Sequence, residues 1–188
     1  MTPGRLNALT DGVVAIVLTI MVLELKFPEE PTFGAVLEVL PLLAAYLLAF
    51  IYVALYWNNH HHMLQSARRV TGGVLWANHS LLFCLTLFPL MIRWIDEAGV
   101  TPWPVASFGV VLAAAALTYR ILQHALAAAD GEGSKVSEVY RHPLKEYSSL
   151  GFYVAAILLA FVAPYLSVAL YVIVAIIWIV PDRRFVGA

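Results

Sequence analysis

An arginine and an aspartate stand where an apolar helix tolerates them least. The stretch Arg5-Leu-Asn-Ala-Leu-Thr10-Asp11-Gly12 runs without a break into Val-Val-Ala-Ile16-Val-Leu-Thr19-Ile20-Met-Val-Leu23-Glu24. A carboxylate inside a membrane span costs at least about 2.5 to 3.5 kcal/mol on insertion scales, so such groups turn toward a protein interior or water rather than lipid. Arg5 precedes Asp11 by about 240° of helical rotation, which makes it a poor partner on the same helix. Partners for both are therefore expected on other helices.

The same helix carries a second pattern. Gly12, Ile16, Thr19, Ile20 and Leu23 recur at spacings that share one face. That face offers one small residue, one hydroxyl and three bulky aliphatics. It suits either packing against lipid and neighbouring helices or the wall of a pore. In a pore, the apolar rings would gate by dewetting and force ions to shed water, and the hydroxyl ring would partly replace what they lose. Potassium holds its water less tightly than sodium, so such a constriction favours potassium, though less sharply than a cage of carbonyls. Glu24, at the far end of the span, either concentrates cations at a pore mouth or is a solvated interfacial acid.

A third dense stretch is Tyr56-Trp57-Asn-Asn-His60-His61-His62. Three adjacent histidines invite a metal, but neighbours on a helix point about 100° apart, so at most one or two face a single ion. The preferred reading has no metal site and makes His60 or His61 a hydrogen-bond partner of Asp11 or Arg5, because the second helix returns to the side where the first began. His62 is expected to be solvated. Asn78 both donates and accepts, which suits a cross-link between helices. The competing reading places Trp76 and Asn78 at the membrane interface.

These residues need helices in a bilayer to position them, and the composition supplies them. Of 188 residues, 62% are hydrophobic and 12% charged, with a mean hydropathy of +0.83; about 25% charged is typical of soluble domains. The expected class is an all-α integral membrane protein forming one domain over 1–188. Six spans are expected at about 5–26, 34–57, 70–95, 105–128, 147–163 and 165–180. The first spans the bilayer at about 33 Å. Pro28 and Pro31 break the chain after it, while Pro41 and Pro89 lie inside the second and third spans, where each introduces a kink. Ala113 to Ala116 either allow close helix contact or face lipid, and Ala129 to Glu146 form a polar linker. The apolar start lacks a small-residue cleavage site, so the first helix is expected to be retained.

Six spans place both termini on one side. With the N-terminus cytoplasmic, Arg5, Arg68, Arg69, Arg120, Lys135, Arg141, Lys145, Arg183 and Arg184 fall on or near the inner side, and only Lys26 and Arg93 fall outside. That asymmetry follows the positive-inside rule for a multi-pass cell-membrane protein. The net charge of −1 gives no nucleic-acid partner. Cys84 is the single cysteine, so it reads as a small buried hydrophobe and not as half of an intrachain disulfide.

Arg5-x-x-x-Leu9-Thr10-Asp11-Gly12 and the helix after it resemble the Arg-x-x-x-Phe-Ser-Asp signature of the bacterial relatives of lysosomal transmembrane protein 175, a potassium-channel family. Leu9 stands where the family has Phe and Thr10 where it has Ser, which keeps the hydroxyl and loses an aromatic. Trp57-Asn-Asn-His60-His61 is similar to the second-helix signature, and Trp76-x-Asn78 to a third-helix feature. The resemblance implies a homotetrameric channel with potassium as permeant ion, no cofactor and no enzymatic activity. It further implies a constriction at Ile16, five residues after the motif Asp, and a histidine joined to the network of Arg5, Thr10 and Asp11. Titration of that histidine would give a pH input.

The chain has no Thr-Val-Gly-Tyr-Gly filter, and one pore helix per chain needs several chains about an axis. Three other classes compete. A secondary cation or proton transporter would show inverted repeats and paired broken helices. A metalloenzyme would gather His79, His124 and His142 with an acid. A structural membrane protein would conduct nothing.

Overall fold

The computed structural model describes residues 2–26, 28–29, 31–141 and 144–179. Every regular element among them is a helix: α1 (Pro3–Leu23), α2 (Phe33–Ser66), α3 (Gly72–Thr86), α4 (Phe88–Ala98), α5 (Pro102–Asp130), α6 (Lys135–Tyr140), α7 (Leu144–Leu159) and α8 (Pro164–Ile179).

Local chemistry sets the starts of these helices. Thr2, Thr32 and Thr71 each precede a helix in extended conformation, and their hydroxyls accept from the N–H groups of Arg5, Ala35 and Val74. Such caps satisfy donors that the first turn leaves without partners. Prolines sit in the first turns of α1, α4, α5 and α8, where their missing N–H costs nothing. Gly99 and Gly131 end α4 and α5 with φ of 70° and 84°, a region that side-chain-bearing residues rarely adopt.

The elements differ from the sequence reading in three places. The second helix continues through the histidines to Ser66 instead of ending near Trp57. Asparagine and histidine are weak helix formers, but Asn59, His60, Met63 and Leu64 are buried there, and tertiary contacts override propensity. The third span breaks into α3 and α4 at Leu87, because Pro89 has no N–H to give to the carbonyl one turn back. The polar linker after α5 contains the short helix α6 and the beginning of α7. Arg183, Arg184 and His142 lie outside the described residues.

Four segments, 3–23, 33–66, 72–98 and 102–130, are long and apolar enough to cross a membrane. The helices α7 and α8 have 16 residues each, about 24 Å. Large apolar side chains cover much of the outside, including Trp76 at 76%, Leu23 at 78% and Val162 at 83% exposure. A surface of that kind fits lipid or another copy, and would be a liability in water.

The core lies where α2, α5, α7 and α8 meet. Tyr52 and Tyr171 are fully buried and pack edge-on or tilted with Phe108 and Tyr153. Their hydroxyls are spent on backbone: Tyr52 donates to Tyr171 O at 2.6 Å and Tyr171 to Val105 O at 3.1 Å. Gly109 permits this approach, since a Cβ there would stand 2.1 Å from the Tyr171 hydroxyl. The helix α3 packs on α5 and on α1, and α1 also packs on α2 and α4. At one end, the Asp130 carboxylate accepts from the backbone N–H groups of Arg68 and Arg69 at 2.8 to 3.0 Å and ties the α2–α3 loop to the end of α5.

Candidate functional site

The two faces of α1 differ completely in their surroundings. Leu6, Thr10, Val14, Val17 and Met21 are at most 4% exposed, and they face α2 and α3. On the other side Ile16, Ile20 and Leu23 are 59%, 42% and 78% exposed, with Gly12 and Thr19 exposed between them. At about 100° per residue the centres of these two sets lie roughly 140° apart. The Thr19 hydroxyl donates back to the carbonyls of Ala15 and Ile16, both at 3.0 Å. Its proton is thus committed to the helix, and its lone pairs are the part presented outward, which suits cations and not anions.

Two polar groups fix the rotation of α1. In the first, Thr10 donates to Leu6 O at 3.1 Å and accepts from Asn78 Nδ2 at 3.2 Å. Asn78 Oδ1 lies 2.7 Å from His60 Nε2, so the neutral tautomer carrying its proton on Nε2 closes the set. Thr10, His60 and Asn78 are each at most 1% exposed and come from α1, α2 and α3. In the second, the Asp11 carboxylate accepts from Asn7 Nδ2 at 2.8 Å and from the Trp57 indole N–H at 2.7 Å. Hydrogen bonds to a charged acceptor contribute about 1.5 to 3 kcal/mol each, which offsets the expense of keeping an acid in the span.

The residues singled out in the sequence therefore divide. Thr10, His60 and Asn78 meet, and Asp11 meets α2 through Trp57. His61 stands apart from them, stacked on Trp57 at 5.6 Å and 2.7 Å from Gln65 Nε2. Arg5 is exposed on the open face of α1 and makes no side-chain hydrogen bond or ion pair among the described residues, so the structure does not bring it to Asp11. Trp76 points outward, 5.9 Å from the His79 ring, while Asn78 two residues on is buried. Glu24 caps the C-terminal end of α1 and is half-buried. His62 is half-buried beside His61. No group of three His, Cys, Asp or Glu side chains that could hold a metal occurs among the described residues.

Two partners escaped the sequence reading. Asn7 lies one turn before Asp11, a spacing at which side chains meet on a helix, so its contact was legible. Trp57 entered the sequence reading as part of the second-helix likeness, and no sequence signal shows an indole N–H aimed at another helix.

Comparison with known proteins gives the family and the fold. Residues 5–89 match the family model described as endosomal/lysosomal potassium channel TMEM175. A protein named as a potassium channel from Chryseobacterium sp. (strain P1-3) is 46% identical over 184 residues, which covers 98% of this chain and 96% of that one. Another so named, from Chamaesiphon minutus, is 32% identical over 92% of this chain and 91% of its own. The crystal structure of a lysosomal potassium-selective channel TMEM175 homolog from Chamaesiphon minutus superposes with a TM-score of 0.84 at 24% identity, covering 99% of this chain and 98% of that one. It shares the fold. With near-complete overlap at such identity, an all-helical membrane architecture and the matched helices α1 to α3, the chain belongs to the TMEM175 family, a family of channels and not of enzymes.

Proposed function

We propose that this chain forms a potassium-selective cation channel whose conduction path runs along the open face of α1. The observation that carries this reading is the contrast on α1: Ile16, Thr19, Ile20 and Leu23 are exposed, while the opposite face is buried and locked by Thr10, His60 and Asn78. Among the described residues of a single chain the open face has no partner, and about an axis of several copies it becomes a lumen. The family likeness favours a homotetramer with cyclic symmetry. The domain is the whole chain, 1–188, with α3 and α4 counted as one broken span and α7 and α8 completing six.

Ile16, near mid-span, is the narrowest ring. Ile20 and Leu23 add apolar rings, and the Thr19 hydroxyls offer lone pairs to a partly dehydrated ion. Such rings impose a modest preference for potassium over sodium. Glu24 raises the local cation concentration at the outer mouth. Asp11, Trp57, Thr10, His60 and Asn78 hold the helix in register and touch no permeant ion. Arg5 lies on the conducting face at its inner end. The positive-inside pattern supports N- and C-termini in the cytoplasm and placement in the cell membrane.

The test is cation flux through the purified protein in liposomes, for potassium and sodium, in wild type and Ile16→Asn. The expected result is potassium-preferring flux in wild type, and larger flux with an eroded preference in the variant. Folded proteins that both fail to conduct would remove the pore reading, and saturable flux would point to a transporter.

A further inference from the structure

A second polar site lies on an adjoining face of α2, about 90° round the helix from His60. Between α2, α5, α7 and α8 is a cavity of about 30 Å³. Its wall includes Tyr56, Asn59, Tyr119, Glu146, Tyr153 and Trp178, and no residue of α1. Glu146 belongs to the first turn of α7 and is 8% exposed. Its Oε1 accepts from Gln123 Nε2 at 3.4 Å, and Gln123 Oε1 accepts in turn from Arg120 Nη1 at 3.1 Å. Arg120 itself is turned toward α6, with Nη2 on Tyr140 O at 2.9 Å and the guanidinium 3.8 Å from the Tyr140 ring centre. One side of the carboxylate is thus committed to protein. The other oxygen, Oε2, is buried and has no hydrogen-bond partner among the described residues.

Among the described residues of the wall Glu146 is the only formally charged one, and the rings of Tyr56, Tyr119, Tyr153 and Trp178 have negative faces that a cation can meet; the Lys145 ammonium lies over the Trp178 ring at 4.6 Å. Asn59 has given its Nδ2 to Leu55 O at 2.8 Å, so its carbonyl oxygen is the atom free to accept. A buried acceptor without a donor costs about 1 to 3 kcal/mol, more for a charged group. The space exceeds the roughly 10 to 15 Å³ that one particle of about 1.4 Å radius needs, but it does not admit an ion with a full hydration shell.

The geometry points to a binding site for one small monovalent cation, of the size of potassium or ammonium, held by Glu146 Oε2 and the surrounding ring faces. The cation answers the open carboxylate oxygen and joins α7 to α2 and α5. The site is off the open face of α1 and does not depend on conduction there.

Thallium(I), a heavy stand-in for potassium, tests this in crystals of the full-length protein. The expected result is an anomalous peak in direct contact with Glu146 Oε2, absent from Glu146→Gln crystals. In parallel, thermal unfolding in detergent is followed as potassium chloride replaces N-methylglucamine chloride. A saturable rise in Tm is expected in wild type and in Ile16→Asn, and its loss in Glu146→Gln. In Tyr56→Leu, which leaves the carboxylate in place, half-saturation should move to about tenfold higher potassium. Water density alone at Glu146, or a potassium response unchanged in Glu146→Gln, overturns the site.

Discussion

The two faces of α1 are built from similar residues and do opposite things. Both are mainly aliphatic with one threonine, Thr10 on one side and Thr19 on the other. Thr10 is buried and bonded to a neighbouring helix, whereas Thr19 is exposed and bonded only to its own backbone. The difference does not come from hydrophobicity, which is matched, but from where side chains of α2 and α3 meet the helix. A face that meets Asn78 and His60 is structural. A face that meets nothing among the described residues of its own chain is available to a copy, to lipid or to ions.

Substitutions on the two faces should therefore separate stability from conduction. The largest stability effect is expected for Asn78→Leu, which is near its volume but leaves His60 Nε2 without its acceptor and removes the donor to Thr10. We expect a loss of about 2 kcal/mol, above the average of roughly 0.6 kcal/mol for interhelical bonds in membranes because two partners are affected at once. Denaturant unfolding in detergent measures it. Asp11→Asn keeps one acceptor oxygen for Trp57 and loses the charge, so about 1 kcal/mol is expected, read as a lower Tm. An unchanged Tm, assembly state and conductance in this variant would remove the supporting role of Asp11. Trp57→Phe should cost somewhat less, since Asn7 still meets the carboxylate. At the small end, Leu23→Ser and Arg5→Gln should each stay within about 0.5 kcal/mol of wild type, as expected for exposed positions. Leu23→Ser should nonetheless alter the potassium-to-sodium flux ratio. A large stability loss in either would break the contrast between the faces.

Much of this was legible in the chain itself. The period of Gly12, Ile16, Thr19, Ile20 and Leu23 gives a shared face whatever it faces, because helix geometry alone sets it. The break beside Pro89 was legible as a kink, since a missing N–H acts locally. Partners across helices were not. Whether Trp57 or a histidine of α2 meets Asp11 depends on helix rotation and rotamer, which sequence spacing within one helix does not determine. For the same reason Glu146 read as the end of a polar linker, although α7 begins before it and turns its carboxylate inward. The length of α2 was underestimated because Asn and His are weak helix formers, while Asn59 and His60 are buried there and the helix runs on to Ser66.

The central claim is that the open face of α1 lines the ion path. Single cysteines placed along α1, in a background where the buried Cys84 is replaced by serine, test it most directly. Potassium flux is measured in liposomes before and after a small water-soluble thiol reagent. Block at positions 16, 19, 20 and 23, with none at 14, 17 and 21, is the predicted result. Block on the buried set, or equal insensitivity of both sets in conducting protein, would contradict the account.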